Sequence, residues 1–110
     1  MATQEASGTV TPTTIGTEQT VVTISTAKPF QTFFDISALA VGEYVLLTIK
    51  RKVLSGGTSH YVQKITYSWL DAMITPVVTL DAILSTSEYD VTINQLTGTA
   101  RAFPWAVETP

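Results

Sequence analysis

Residues 43–69, EYVLLTIKRKVLSGGTSHYVQKITYSW, constrain the chain more than any other stretch. Two runs of alternating character meet there at Ser55-Gly56-Gly57-Thr58. In the first run Val45, Leu47, Ile49 and Val53 fall on one side, with Tyr44, Thr48, Lys50 and Lys52 on the other. In the second, Tyr61, Ile65, Tyr67 and Trp69 oppose Val62, Lys64, Thr66 and Ser68. Successive strand side chains point to opposite faces, so this is the pattern of a half-buried hairpin. Gly56 and Gly57 supply the positive φ that a tight reversal needs. A hairpin with one apolar face must be covered, and the remaining chain has to supply the cover.

The flanking segments read as shorter strands. Residues 18–26 place Val22 and Ile24 on one face. Residues 30–36 place Phe30, Phe34 and Ile36 together, opposite Phe33 and Asp35. Residues 37–42 turn the chain, through one helical turn entered at Asp35 or Ser37, and Leu39 plugs the core there. Residues 70–76 form a crossover between sheets, 77–84 a strand and 85–88 a turn. Residues 89–96 alternate cleanly, with Tyr89, Val91 and Ile93 inward and Asp90, Thr92 and Asn94 outward. Residues 100–107 put Arg101, Phe103, Trp105 and Val107 on one face, and Pro104 assigns that strand to an edge or a bulge. About seven strands at short spacing, with no convincing helix, predict an all-β antiparallel sandwich or jelly roll. The expected core is Ile24, Phe34, Leu47, Ile49, Ile65, Tyr67, Val91 and Ile93. Residues 1–16, rich in Thr, Ser, Gly, Ala and Pro, read as an extended N-terminal arm outside a domain spanning 17–110.

At 110 residues the chain is one domain, long enough to bury a core without staples. It has no cysteine, which excludes disulfides, thiolate metal sites and thiol catalysis. Charged residues are 14% of the chain, against roughly 25% in an average domain, and threonine is the commonest residue at 20. Such a domain exposes neutral polar surface or buries surface against partners. A net charge of −3 argues against nucleic-acid binding, which needs a basic face. No secretory signal or membrane-spanning run is legible, so the expectation is a soluble protein with neither a nucleic-acid nor a membrane partner.

Reaction chemistry is not legible either, and the expectation is a protein that is not an enzyme and needs no cofactor or metal. His60 is the single histidine and follows the glycine turn; the expected role is an exposed turn residue rather than a catalytic base. The nine carboxylates are scattered. Glu88 and Asp90 lie two apart, yet solvated strand ends account for them more simply than a paired-carboxylate site. No calcium loop is spaced correctly. In Lys50-Arg51-Lys52 the middle residue falls on the inner face, where a guanidinium requires a carboxylate or a carbonyl; Arg51 is therefore a structural or interface arginine. Most aromatics belong to the core, and Trp105, beside Pro104, is the leading contact candidate. Because the final strand carries almost no charge to guard an edge, Arg51, Phe103 and Trp105 form the expected interface set, in a homodimer or homotrimer.

Three stretches, FFDISALAVGEYVLLTIKRKVLSGGT, SEYDVTINQLTGTA and RAFPWAV, together resemble small virion structural proteins of tailed bacteriophages. The group includes capsid cement, staple and decoration proteins. The resemblance covers roughly residues 30–107 and its motifs are structural. It implies a compact β-sandwich or jelly roll, made in the host cytoplasm, on the outer capsid surface of the virion. The implied partners are the major capsid protein and further copies of the chain, and the implied role is to bridge capsid subunits. A carbohydrate- or receptor-binding module of a phage tail or cell-surface protein is the alternative, working through exposed aromatics such as Trp105 or Trp69.

Overall fold

The structure is a computed structural model that describes residues 3–24, 29–52, 58–80, 83–84 and 89–109. In chain order the elements are β1 (Thr3–Val10), β2 (Gln19–Ile24), β3 (Pro29–Asp35), β4 (Tyr44–Lys52), β5 (Ser59–Ser68), α1 (Trp69–Ile74), β6 (Val77–Thr79), β7 (Ile83–Leu84), β8 (Tyr89–Gln95) and β9 (Phe103–Thr109). One sheet runs β1-β9-β3-β6, with β7 also pairing with β3, and the other runs β2-β8-β4-β5. All the pairings are antiparallel. β6 and β7 both pair with β3 and count as one interrupted strand; the sheets then read 1-8-3-6 and 2-7-4-5. That is jelly-roll connectivity, in which the chain passes repeatedly from one sheet to the other.

The alternation read from sequence is realised in the core. Val45, Leu47 and Ile49 of β4 and Val91 and Ile93 of β8 are each at 0% exposure. They face Phe30, Phe34, Phe103, Val107 and Leu80 from the other sheet, all at 2% or less. Ile24 joins them at 3%, while Ile65 and Tyr67 pack against this core but are only partly buried. They lie on β5, an edge strand, so the sandwich covers them from fewer directions. Phe30 meets the Tyr89 ring edge-to-face, with centroids 5.6 Å apart, the arrangement that ring quadrupoles favour. Leu39 is buried as expected. The segment around it is a pair of turns rather than a helical turn: Ser37 donates its N–H to the Asp35 carboxylate, and Leu39 donates to the Ile36 carbonyl.

Three expectations need correction. The N-terminal segment is extended, but Thr3–Val10 is no free arm: it pairs along β9, and Val10 is buried. Few apolar side chains mark it because the backbone ladder and Val10 anchor it. The C-terminal strand is not at an edge, since β9 lies between β1 and β3. Pro104 is tolerated there because the β3 pairing ends at Phe34↔Trp105, leaving Thr9 as its cross-strand partner. Finally, the crossover contains α1, entered through a capping box: Ser68 accepts from the Asp71 N–H, and the Asp71 carboxylate accepts from the Ser68 N–H. It carries the chain from β5 in one sheet to β6 in the other, so the change of sheet itself was read correctly. The turns expected at Ser55–Thr58 and 85–88 lie wholly or mainly outside the described residues.

Candidate functional site

The expected interface residues are not brought together. Phe103 is at 0% exposure in the core and offers a partner no surface. Trp105 is partly buried against the core and lies over β1, where a Cβ on Gly8 would sit 3.3 Å from its ring. Arg51 stands towards the opposite end of β3 from Trp105: it is beside Tyr89, which packs on Phe30, whereas Trp105 pairs with Phe34. Its guanidinium takes the Tyr89 ring and hydroxyl rather than a carboxylate, with Nη1 donating to Oη at 3.2 Å and the group 5.3 Å from the ring centroid. Its buried Nε has no partner among the described residues. His60 is exposed on β5, as expected. Asp90 accepts from the Thr23 hydroxyl at 2.7 Å, while Glu88 lies outside the described residues.

The densest polar cluster lies where the 40–43 turn meets the 95–101 loop. Glu43 is buried at 4% exposure. Arg101 grips it with both ends of its guanidinium, Nε to Oε1 at 2.9 Å and Nη2 to Oε2 at 3.0 Å. The Ala40 N–H donates to Oε1 and the Thr99 N–H to Oε2. The Arg101 hydrogen bonds, with help from these amides, outweigh burial and hold the carboxyl at about 2, well below its usual 4.5. Arg101 is shifted up in return. Gln95, fully buried, completes the cluster by donating to the Thr97 and Thr99 carbonyls and accepting from the Arg101 N–H. Gly98 has φ +86, and a Cβ there would fall 2.2 Å from Glu43 Oε2. Both Glu43 oxygens and both ends of the Gln95 amide already have partners. A carboxylate held so acidic stays ionised near neutral pH and is ill suited to general acid or base work there, and its bonds tie the two loops together as a clamp.

A second network lies on the outer face of the β2-β8-β4-β5 sheet. Glu18 accepts from Lys50 at 3.1 Å and from the Tyr61 hydroxyl at 2.7 Å. The Lys50 and Lys64 ammonium groups stand 5.2 and 4.7 Å from the Tyr61 ring centroid. For Glu18, burial pushes the pKa up, but the hydrogen bonds from Tyr61 and Lys50 win and it falls. Lys50 rises through its bond to Glu18. Beneath this polar surface, Thr48 and Thr92 face each other across β4 and β8, and their hydroxyls are hydrogen-bonded.

The third region is apolar and was not anticipated. Leu70, Met73, Ile74 and Val77, on α1 and β6, are 51%, 72%, 78% and 53% exposed. Next to them, a groove of about 350 Å³ is lined by Tyr67, Asp71, Ile74, Thr75 and β6. On the other side Val77 borders a shallow depression formed with Phe33, Pro104 and Ala106. The sequence signal for a helix was present in Ser68-Trp69-Leu70-Asp71. What marks the surface is that α1 buries Ala72, packs Trp69 against the core and leaves Leu70, Met73 and Ile74 outside.

Among the described residues no three His, Cys, Asp or Glu side chains are grouped so as to hold a metal ion. No protein-family model matches the chain, and comparison with curated proteins and with solved structures likewise yields no match.

Proposed function

We propose that this protein is a non-enzymatic virion structural protein, a capsid decoration protein that binds the outer head lattice of a tailed bacteriophage and bridges its subunits. The observation that carries this reading is a small jelly roll in which four of the nine large hydrophobic side chains exposed among the described residues, Leu70, Met73, Ile74 and Val77, lie together at α1 and β6. Jelly rolls are a recurrent architecture of viral capsid domains; that support is an analogy of fold, and it agrees with the resemblance in residues 30–107. The apolar side supplies what a lattice binder needs, a surface larger than scattered single residues. The major capsid protein is the proposed partner, and many copies on one lattice convert modest contacts into a large collective effect.

The glycan-binding alternative draws less support from the aromatics. Trp105 and Trp69 pack against the core, and the exposed Tyr61 ring is flanked by two lysines. The test is to incubate labelled protein with purified phage heads stripped of their own decoration protein. Expected results are an ordered array by electron microscopy and a higher temperature of head rupture. Failure to sediment with any head, together with a positive glycan array, transfers the assignment to the alternative.

A further inference from the structure

Four strands form the edges of the two sheets, and three of them are interrupted in register. β1 carries a register shift between Gln4 and Ala6, and β2 one between Thr20 and Val22. β5 has one opposite Ile49 and Lys50 and also bears the exposed His60 and Lys64. Bulges and charges of this kind are how sheets avoid pairing with other chains. Within its three residues β6 has neither, and Thr75-Pro76-Val77-Val78-Thr79-Leu80 contains no charged residue; its guards are its shortness and Pro76, and its register with β3 shifts by one residue only where β7 takes over.

The hydrogen bonds at β6 show which groups face outward. Leu80 donates to the Thr32 carbonyl, and Ile36 donates to the Pro76 carbonyl. Residues 76, 78 and 80 therefore point their backbone groups at β3. In an antiparallel ladder the alternate residues, Val77 and Thr79, point theirs away from it. No strand among the described residues pairs with that side.

We infer that the β6 edge and the exposed side of α1 form a two-fold interface with a second copy of this chain, in which the two β6 strands pair antiparallel about Val78. Three observations select a second copy. The backbone arithmetic closes: with the axis at Val78, the N–H and C=O of Val77 meet those of the partner's Thr79, and the reverse, so all four outward groups are satisfied on each copy. The charge pattern allows self-contact, because the patch carries only Asp71 and Asp35, whose carboxylates are already engaged by Ser68 and by the Ser37 N–H. A charged partner surface would find little to pair with, whereas the apolar side chains between them can meet their own copies. The patch has the size expected of a contact: Leu70, Met73, Ile74 and Val77 are each more than half exposed, and side chains of that size side by side make a patch of a few hundred Å², the range in which the largest patch on a monomer is often functional. With the backbone edge and the rim added, two copies approach the roughly 1,200–2,000 Å² of a stable interface. The inference does not depend on the capsid reading, since a receptor-binding module would dimerise in the same way.

The test is the mass of the full chain in solution by light scattering and sedimentation, up to millimolar chain concentration. The expected mass is twice the 11.9 kDa of the chain. Ile74→Glu places a charge in the apolar contact and should weaken dimerisation roughly a hundredfold. Thr79→Pro removes one outward N–H without touching the β3 ladder and should weaken it about tenfold. The chain has no cysteine of its own, so a nitroxide on Val77→Cys reports this contact alone. Strands about 4.8 Å apart bring the two labels within roughly 20 Å of each other. A monomeric mass at the highest concentration, a dimer that neither variant weakens, or widely separated labels would overturn the inference. Unchanged mass in the variants would also assign the dimer to another surface, and exclusive capture of a different protein by the patch would count against self-association.

Discussion

The Glu43 clamp and the α1–β6 side are opposites in construction. At the clamp, a carboxylate, a guanidinium, a glutamine and several backbone groups are buried, and each finds its partner within the chain. At α1–β6, apolar side chains stand in solvent, and the two outward-facing residues of β6 have no strand beside them among the described residues. Burying polar groups is costly unless every hydrogen bond is made, and exposing apolar ones is costly unless something covers them. The clamp has met its condition internally, so its job is to hold the fold. The open edge has not, which is why we propose a partner for it.

The largest expected effect comes from breaking the clamp. Glu43→Ala removes the acceptor for Ala40 and Thr99 and leaves Arg101 without its partner. It should destabilise the domain by about 3 kcal/mol and lower Tm by more than about 10 °C, read by calorimetry. A loss no larger than that of an exposed substitution would show that the clamp is decorative.

The contrast also explains what the sequence could and could not reveal. The hairpin of β4 and β5, the alternation of β8 and six of the eight expected core residues were legible because period two is a local signal: each position is read from its neighbours. Glu43 and Arg101 stand 58 positions apart. In sequence Glu43 is one of nine scattered carboxylates and Arg101 shares a face with Phe103 and Trp105, and only the fold brings them together. Pro104 misled for a related reason. Proline disfavours an interior strand only where it faces a ladder partner needing its N–H, and the end of β3's pairing is a tertiary fact. β1 was hidden because threonine, serine and glycine give no apolar rhythm, although their backbones pair as well as any. The interface expectation failed with the edge assignment: once β9 is interior, Phe103 becomes core. The S-x-x-D capping signal of α1 was visible but short, and six residues of helix carry little periodicity.

A smaller effect sharpens the clamp by titration. Glu43 has a folded-state pKa of about 2 against an ordinary 4.5. A group whose pKa is depressed on folding stabilises fully above its unfolded value and loses that contribution as pH falls through the folded one. The stability due to Glu43 should therefore be intact above pH 4.5 and fade as pH drops towards 2. Glu18, also lowered, acts in the same direction, but its pair with Lys50 is more exposed and salt weakens it. Urea midpoints at about pH 6 and about pH 3 in high salt should fall more for the wild type than for Glu43→Gln. Equal falls in the two proteins would mean that other carboxylates carry the acid sensitivity.

The smallest expected effect on the fold is at the open edge, and it separates the two regions most sharply. Met73 is 72% exposed, so Met73→Lys forfeits little burial and lysine is an equally good helix former. At concentrations low enough to keep the chain monomeric, Tm should stay within the change that about 0.5 kcal/mol produces. At high concentration the proteins should diverge. A dimer that forms only from folded chains raises Tm with concentration by mass action, and the wild type should show that rise. Met73→Lys should lose it, because two ammonium groups would be forced into one apolar contact. Glu43→Ala should behave in the reverse way, with a lower Tm at every concentration but the same slope. If instead Met73→Lys lowers Tm at all concentrations alike, α1 is a packing element of the monomer, and the difference between a closed polar clamp and an open apolar edge disappears.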